Sequence, residues 1–172
     1  MRAPSTDVQV RQARPGDAAA LVAMAEAVGS EPEGWLITAG EWRSVGEERR
    51  YLRSVRGSKQ AAVLVAELEG LVVGRLSIVR DPIPACGHVA DVGLMVSHDH
   101  RGRGVGRALM LAAESWARAV GVSKLELHVF PHNEVALRLY ERLGYLREGY
   151  RVRQFRRSTG MTDAILMAKL LD

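Results

Sequence analysis

The amino-acid sequence predicts an α/β fold, with a mixed central sheet of about seven strands flanked by about four helices. Three observations carry that prediction. Short runs rich in Val, Ile and Leu recur along the chain. Between them lie longer segments whose apolar residues fall three and four apart. No repeat, low-complexity tract or linker divides the 172 residues, so one domain over 1–172 is expected, with 1–7 as a flexible N-terminal stretch.

The elements follow in order. VQVRQA (8–13) alternates as a strand does, and Pro15 with Asp17 opens a helix over 18–28 whose Leu21, Met24 and Val28 share a face. Residues 29–45 carry Gly29, Pro32, Gly34 and Gly40 around Trp35 and Trp42, which predicts an irregular loop holding two large side chains. A polar helix follows over 47–56. Glu69-Gly70 separates two apolar runs, so 61–68 and 71–80 read as a β-hairpin. HVADVGLMV (88–96) is the next strand, and a bulge at Gly93 would change which way Asp91 points. A glycine-rich corner then leads into a helix from about 104 to 120, with Leu109, Ala112, Ala113, Trp116 and Val120 marking one face. KLELHVF (124–130) alternates as a strand. NEVALRLYERLG is a short helix capped by Asn133 and stopped by Gly144. YLREGYRVRQF and TDAILMAKLL supply two last strands; the apolar tail AILMAKLL and open strand edges together suggest a homodimer.

Composition narrows the function classes. The net charge is +4, and lysine occurs only at 59, 124 and 169, so nearly all the positive charge is arginine. Its planar fork suits phosphate and carboxylate recognition. A lone cysteine, Cys86, cannot form an internal disulfide. No apolar run approaches the roughly 18 to 20 residues that span a bilayer, and no early segment reads as a leader. A cytoplasmic protein without a membrane partner is expected. His98-Asp99-His100 has metal-like spacing but lacks further ligands, so no metal is expected. Arg151, Arg153, Arg156 and Arg157 have only Tyr150 and Phe155 interleaved, so no nucleic acid is expected either.

The most informative stretch is MVSHDHRGRGVGRAL, 95–109. Glycines at a strand-to-helix corner let backbone N–H groups approach a ligand, and a helix start presents unpaired amides and a positive dipole end. Arg101, Arg103 and Arg107 add full charges. The corner therefore reads as a pyrophosphate cradle. A Walker loop fails for want of its Lys. A dinucleotide fingerprint would need a third glycine where Arg107 stands.

What remains is R-x-x-G-x-G, Arg101 to Gly106, followed by a helix, the strand LELHVF and the helix NEVALRLYERLGY. This arrangement resembles the GNAT superfamily of acetyl-CoA-dependent N-acetyltransferases. The resemblance implies that strands 4 and 5 splay apart, and that the acetyl group passes from acetyl-CoA to a primary amine by direct attack in a ternary complex. It implies that the backbone of Arg101, Gly102, Arg103, Gly104, Val105, Gly106 and Arg107 wraps the coenzyme pyrophosphate. Pantetheine would pair with the strand around Leu94, Met95 and Val96. Asn133 matches a side chain that contacts pantetheine, and Tyr140 a tyrosine beside the coenzyme sulfur.

Amide formation makes three demands that can be set against residues. The amine must lose its proton, and the candidate base is Asp91, with His128 on the facing strand as its rival. The oxyanion needs a donor, for which a strand amide near Leu94 to Val96 is available. The departing thiolate needs a proton, which Tyr140 can give. Simpler roles stand beside these: Asn133 as a helix cap alone, and Tyr140 as a core residue sharing a face with Ala136 and Leu143. Alternatives for the whole chain are an acyl-CoA sensor, a transferase of another acyl group, and a dinucleotide-binding module. The acceptor is left open, and the segment 29–57 with the last hairpin is where it would be chosen.

Overall fold

The computed structural model describes residues 7–37 and 42–171. The flexible stretch expected at 1–7 lies outside them but for Asp7, as do residues 38–41 of the tryptophan-bearing loop. In chain order the elements are β1 (Gln9–Gln12), α1 (Ala18–Gly29), α2 (Val45–Val55), β2 (Ala61–Leu68), β3 (Leu71–Arg80), β4 (Val89–Val96), α3 (Val105–Val120), β5 (Lys124–Val129), α4 (Glu134–Arg142), β6 (Leu146–Arg157) and β7 (Gly160–Leu170). Every element falls within a few residues of its expected place.

The seven strands form one sheet in the order β1-β2-β3-β4-β5-β7-β6. β4 and β5 are parallel; all other neighbours are antiparallel. Strand β2 shows why the sheet is covered on both faces. Its Ala62, Leu64 and Ala66 face a core with Leu109, Met110 and Ala113 of α3. Its Val63 and Val65 face a second core with Leu21 of α1 and Leu52 of α2. A run apolar at every position, AAVLVA, is what two buried faces require.

Pairing between β4 and β5 lasts only three residues, Val89↔Lys124, Ala90↔Leu125 and Asp91↔Glu126. Beyond that each strand follows its other neighbour. β4 stays in register with β3 as far as Val96, and β5 with β7 as far as Val129. The expected splay is therefore present, and the edge of β4 from Val92 onward that faces β5 has no strand partner.

Three expectations are corrected. No bulge occurs at Gly93, since β3 and β4 pair without a shift from Gly74↔Val96 to Arg80↔Ala90. Gly93 is instead a close-approach glycine, where a Cβ would lie 3.0 Å from Ser77 Oγ. The register shifts sit elsewhere, between Ala66 and Glu67 on β2 and at Arg147/Gly149 and Arg151/Phe155 on β6. The buried face of α3 runs through Val105, Leu109, Met110, Ala113, Glu114 and Ala117, with Ala112, Trp116 and Val120 at its margin. Glu114 disguised that face, because a carboxylate reads as solvent-facing; here it is buried and accepts from Lys169 Nζ at 2.8 Å. Finally, the tail AILMAKLL is no exposed patch. β7 is inserted between β5 and β6, and Ala164, Ile165, Met167, Ala168 and Leu171 are buried. That removes the tail as a reason to expect a dimer.

Gly74 on β3 sets how closely α3 approaches the sheet. A Cβ there would lie 2.7 Å from Val105 Cγ1 and 2.9 Å from Leu109 Cδ1, both in the first turns of α3. Gly74→Ala should cost about 1–3 kcal/mol of stability through overpacking, read by urea unfolding.

Candidate active site

The corner between β4 and α3 is built around two left-handed glycines, Gly102 at φ +72 and Gly104 at φ +81. Only glycine takes that conformation without strain. An added Cβ at either would meet nothing within 4 Å, so both open onto free space. Gly104 caps α3, and the first helical bond runs from the Ala108 N–H to the Gly104 carbonyl at 3.0 Å. The amides of Val105, Gly106 and Arg107 precede that bond and have no intrahelical acceptor. With the positive end of a 16-residue helix behind them, they form a site suited to an anion.

The other residues of the corner are divided between ligand-facing and structural work. Val105 is buried in the core, so only its backbone is available. Gly106 lies against α4, where a Cβ would approach Leu139 Cδ2 at 3.0 Å. Arg103 is exposed and 3.8 Å from Glu69, and Arg107 is exposed on the first turn. Arg101 departs from the expectation of a free phosphate-binding charge. Its guanidinium is gripped by Glu31, with bonds of 2.7 and 2.8 Å to the two carboxylate oxygens, and its own N–H donates to the His98 carbonyl. The Arg101 hydrogen bonds hold the Glu31 carboxyl below its usual range. The pair ties the loop after α1 to the glycine corner.

Where β4 and β5 part, a cleft of about 310 Å³ passes between them. At one side it is lined by Leu94, Asn133, Ala136 and Tyr140. Asn133 is also the cap of α4, its Oδ1 accepting from the Ala136 N–H at 3.2 Å. Tyr140 is 7% exposed, and burial raises its phenol above the ordinary range, so it stays protonated. Met95 lines the cleft but packs mainly into the α1/α2 core; the carbonyl of Val96 accepts from Arg101 Nε at 3.3 Å.

At the other side of the cleft lie Asp91 and His128, Trp35, Trp42 and Arg43. Asp91 and His128, weighed as rivals from the sequence, are neighbours: His128 Nδ1 is 3.6 Å from Asp91 Oδ2. The β4/β5 register explains it, since Asp91 pairs with Glu126 and His128 is the next residue on that face. Phe155 of β6 packs edge-on against the His128 ring, and Phe130, His132 and Trp35 stack in series beyond it. Arg157 caps that stack, lying 5.0 Å over the Phe130 ring and donating to the Gly34 carbonyl at 2.9 Å.

The cleft and corner together fit an extended ligand with an anionic end. Residues 24–145 match the Acetyltransferase (GNAT) family. The chain belongs to this family. An L-amino acid N-acetyltransferase of Escherichia coli is 36% identical over 111 residues, 62% of this chain and 67% of that protein. Among solved structures, a GNAT-family acetyltransferase from Streptococcus pneumoniae superposes with a TM-score of 0.86 at 29% identity, covering 95% of this chain and 99% of that one. A Salmonella typhimurium protein determined with its cofactor acetyl-CoA gives 0.85 at 19% identity, over 96% and 95% of the two chains, a likeness of fold. The protein is thus an acyltransferase of the GNAT type.

Within this GNAT fold the sequence located the corner and the α4 side of the cleft, and it missed Glu31, Ser77, Arg43, Arg75 and Glu48. The resemblance assigned the choice of acceptor to 29–57, the segment that holds Glu31, Arg43 and Glu48, but singled out none of them. Gly104→Val tests the corner. The variant should lose about 1–2 kcal/mol of stability to left-handed strain, while its CoA affinity, measured by calorimetry, should fall at least tenfold because the side chain would fill the anion's approach.

Proposed function

We propose that the protein transfers an acetyl group from acetyl-CoA to a primary amine by direct attack in a ternary complex. The parting of β4 and β5 carries this reading, because one opening connects a protonated tyrosine, an unpaired strand edge and a carboxylate–imidazole pair. The first-turn amides of α3 and the exposed Arg103 and Arg107 would hold the pyrophosphate. The free edge of β4 at Leu94 to Val96 would pair with the pantetheine arm, with Asn133 contacting it. Bound acetyl-CoA supplies a thioester carbonyl as the acyl donor.

The residues then divide the proton work. A lysine-like amine at neutral pH is almost wholly protonated, and the Asp91–His128 pair receives that proton and passes it to solvent. Attack forms the C–N bond and breaks the C–S bond. An amide of β4 near Leu94 to Val96 donates to the carbonyl oxygen as its charge rises. Tyr140 delivers its proton to the departing sulfur, and the second proton lost from nitrogen replaces it, so the site returns to its starting state.

A thiol-release assay with acetyl-CoA and a panel of primary amines tests the reading as a whole; release with none of them overturns it. Tyr140→Phe should fold normally, since the ring keeps its packing, and should lower kcat and kcat/KM together by about 10²-fold or more. Parental turnover under conditions where chemistry limits the rate would reduce Tyr140 to a packing residue. Asp91→Asn should lower turnover most at low pH, where little amine is neutral, and recover partly as pH rises. Superimposable pH–rate profiles for variant and parent would place the base elsewhere.

A further inference from the structure

The wall of the cleft that carries Trp42 and Arg43 holds more hydrogen-bond donors than acceptors. Arg43 Nη1 donates to Glu48 Oε2 at 2.8 Å, and Arg75 Nη2 to Glu48 Oε1 at 3.4 Å. Both oxygens of the one carboxylate are therefore in use by two guanidiniums, and Arg43 also feels the Glu47 carboxylate held on Ser44. Glu48 and Arg75 are buried, whereas the Arg43 side chain is 43% exposed and lines the cleft. The cluster thus reaches the cleft through Arg43.

The Trp42 ring lies beside both cations, 5.0 Å from Arg75 and 5.8 Å from Arg43. Its Nε1 and the Nε of Arg75 are buried without a hydrogen-bond partner among the described residues. Buried N–H groups are nearly always paired. Trp42 lines the cleft, so its orphan N–H beside the Arg43 guanidinium marks a place for an acceptor that arrives with a ligand. Asp91 also lines this cleft, and its side chain, 55% exposed beside His128, brings a negative charge to it.

We propose that the acceptor amine carries a carboxylate, which docks on Arg43 beside Trp42 while its amino group lies toward Asp91 and His128. The proposal rests on the N-acetyltransferase reading above and names the substrate class for it. A carboxylate receives a bidentate bond from the free side of a guanidinium, and the opposed charges orient the molecule with its amine toward the splayed strands. A polyamine brings only positive charge to that wall and is disfavoured by repulsion.

The test is steady-state kinetics with acetyl-CoA and matched acceptors: amino acids, their carboxamides, the corresponding decarboxylated amines and a polyamine. The parent enzyme should prefer each amino acid over its carboxamide by about 10- to 100-fold in kcat/KM, chiefly through KM, as expected for one charge-assisted pair. Arg43→Gln should bring that ratio close to one, and Arg43→Lys should keep part of it. Because Arg43 also holds buried Glu48, CoA affinity measured by calorimetry confirms that each variant is folded. Carboxamides or polyamines used as well as amino acids by the parent enzyme, or a preference that survives Arg43→Gln in a folded variant, would overturn the carboxylate site alone. Failure of every amine to release thiol would instead overturn the acetyltransferase reading, and this proposal with it.

Discussion

The parting of β4 from β5 is the constraint on which the rest of the site depends. A sheet that stayed paired would put a continuous ladder of backbone bonds, and two buried side-chain faces, where the cleft now runs. Here each of the two strands keeps one complete partner, β3 for β4 and β7 for β5. The opening therefore leaves polar backbone on one edge only of each strand. Such an edge inside a fold is costly when nothing pairs with it, and a ligand with amide groups of its own satisfies it. The two hydrophobic cores, one under α3 and one under α1 and α2, hold the halves of the sheet in place while the centre stays open.

Close contacts at small residues transmit this geometry to the corner. Gly74 lets the first turns of α3 settle on β3, and Gly106 lets that turn settle against Leu139 of α4. The helix N-terminus, with its unpaired amides, is thereby aimed at the mouth of the opening. Glu31 then fastens the loop after α1 to the same corner through Arg101. An ion pair with a largely covered carboxylate is screened less by water than a surface pair, and its two parallel bonds fix an orientation as well as a distance.

A different logic governs Glu48. A buried carboxylate is tolerated only when paired, and two arginines pair it. Removing one partner of such a cluster commonly costs about 3–5 kcal/mol, so the arrangement is kept at some risk to stability. Through Arg43 it brings a guanidinium to the same side of the cleft that holds Asp91.

Periodicity and composition were enough to determine the order of all eleven strands and helices, the glycine corner with its linked motifs, and the positions of Asn133 and Tyr140 on α4. These depend on neighbours in the chain: alternation marks strands, three-and-four spacing marks helices, and glycine marks positive φ. Contacts between distant segments lie outside that kind of reading. Arg101 looked free because Glu31, 70 residues away, became its partner only on folding. Asp91 and His128 looked like rivals because they sit on different strands, and the register of β4 on β5 made them a pair. Glu114 and Glu48 are buried, and only tertiary structure supplied the cations that allow it. The family and its fold were thus decided by local sequence. The division of charge within the cleft was decided by packing, because electrostatic partners are chosen by distance in space and carry no periodic signal along the chain.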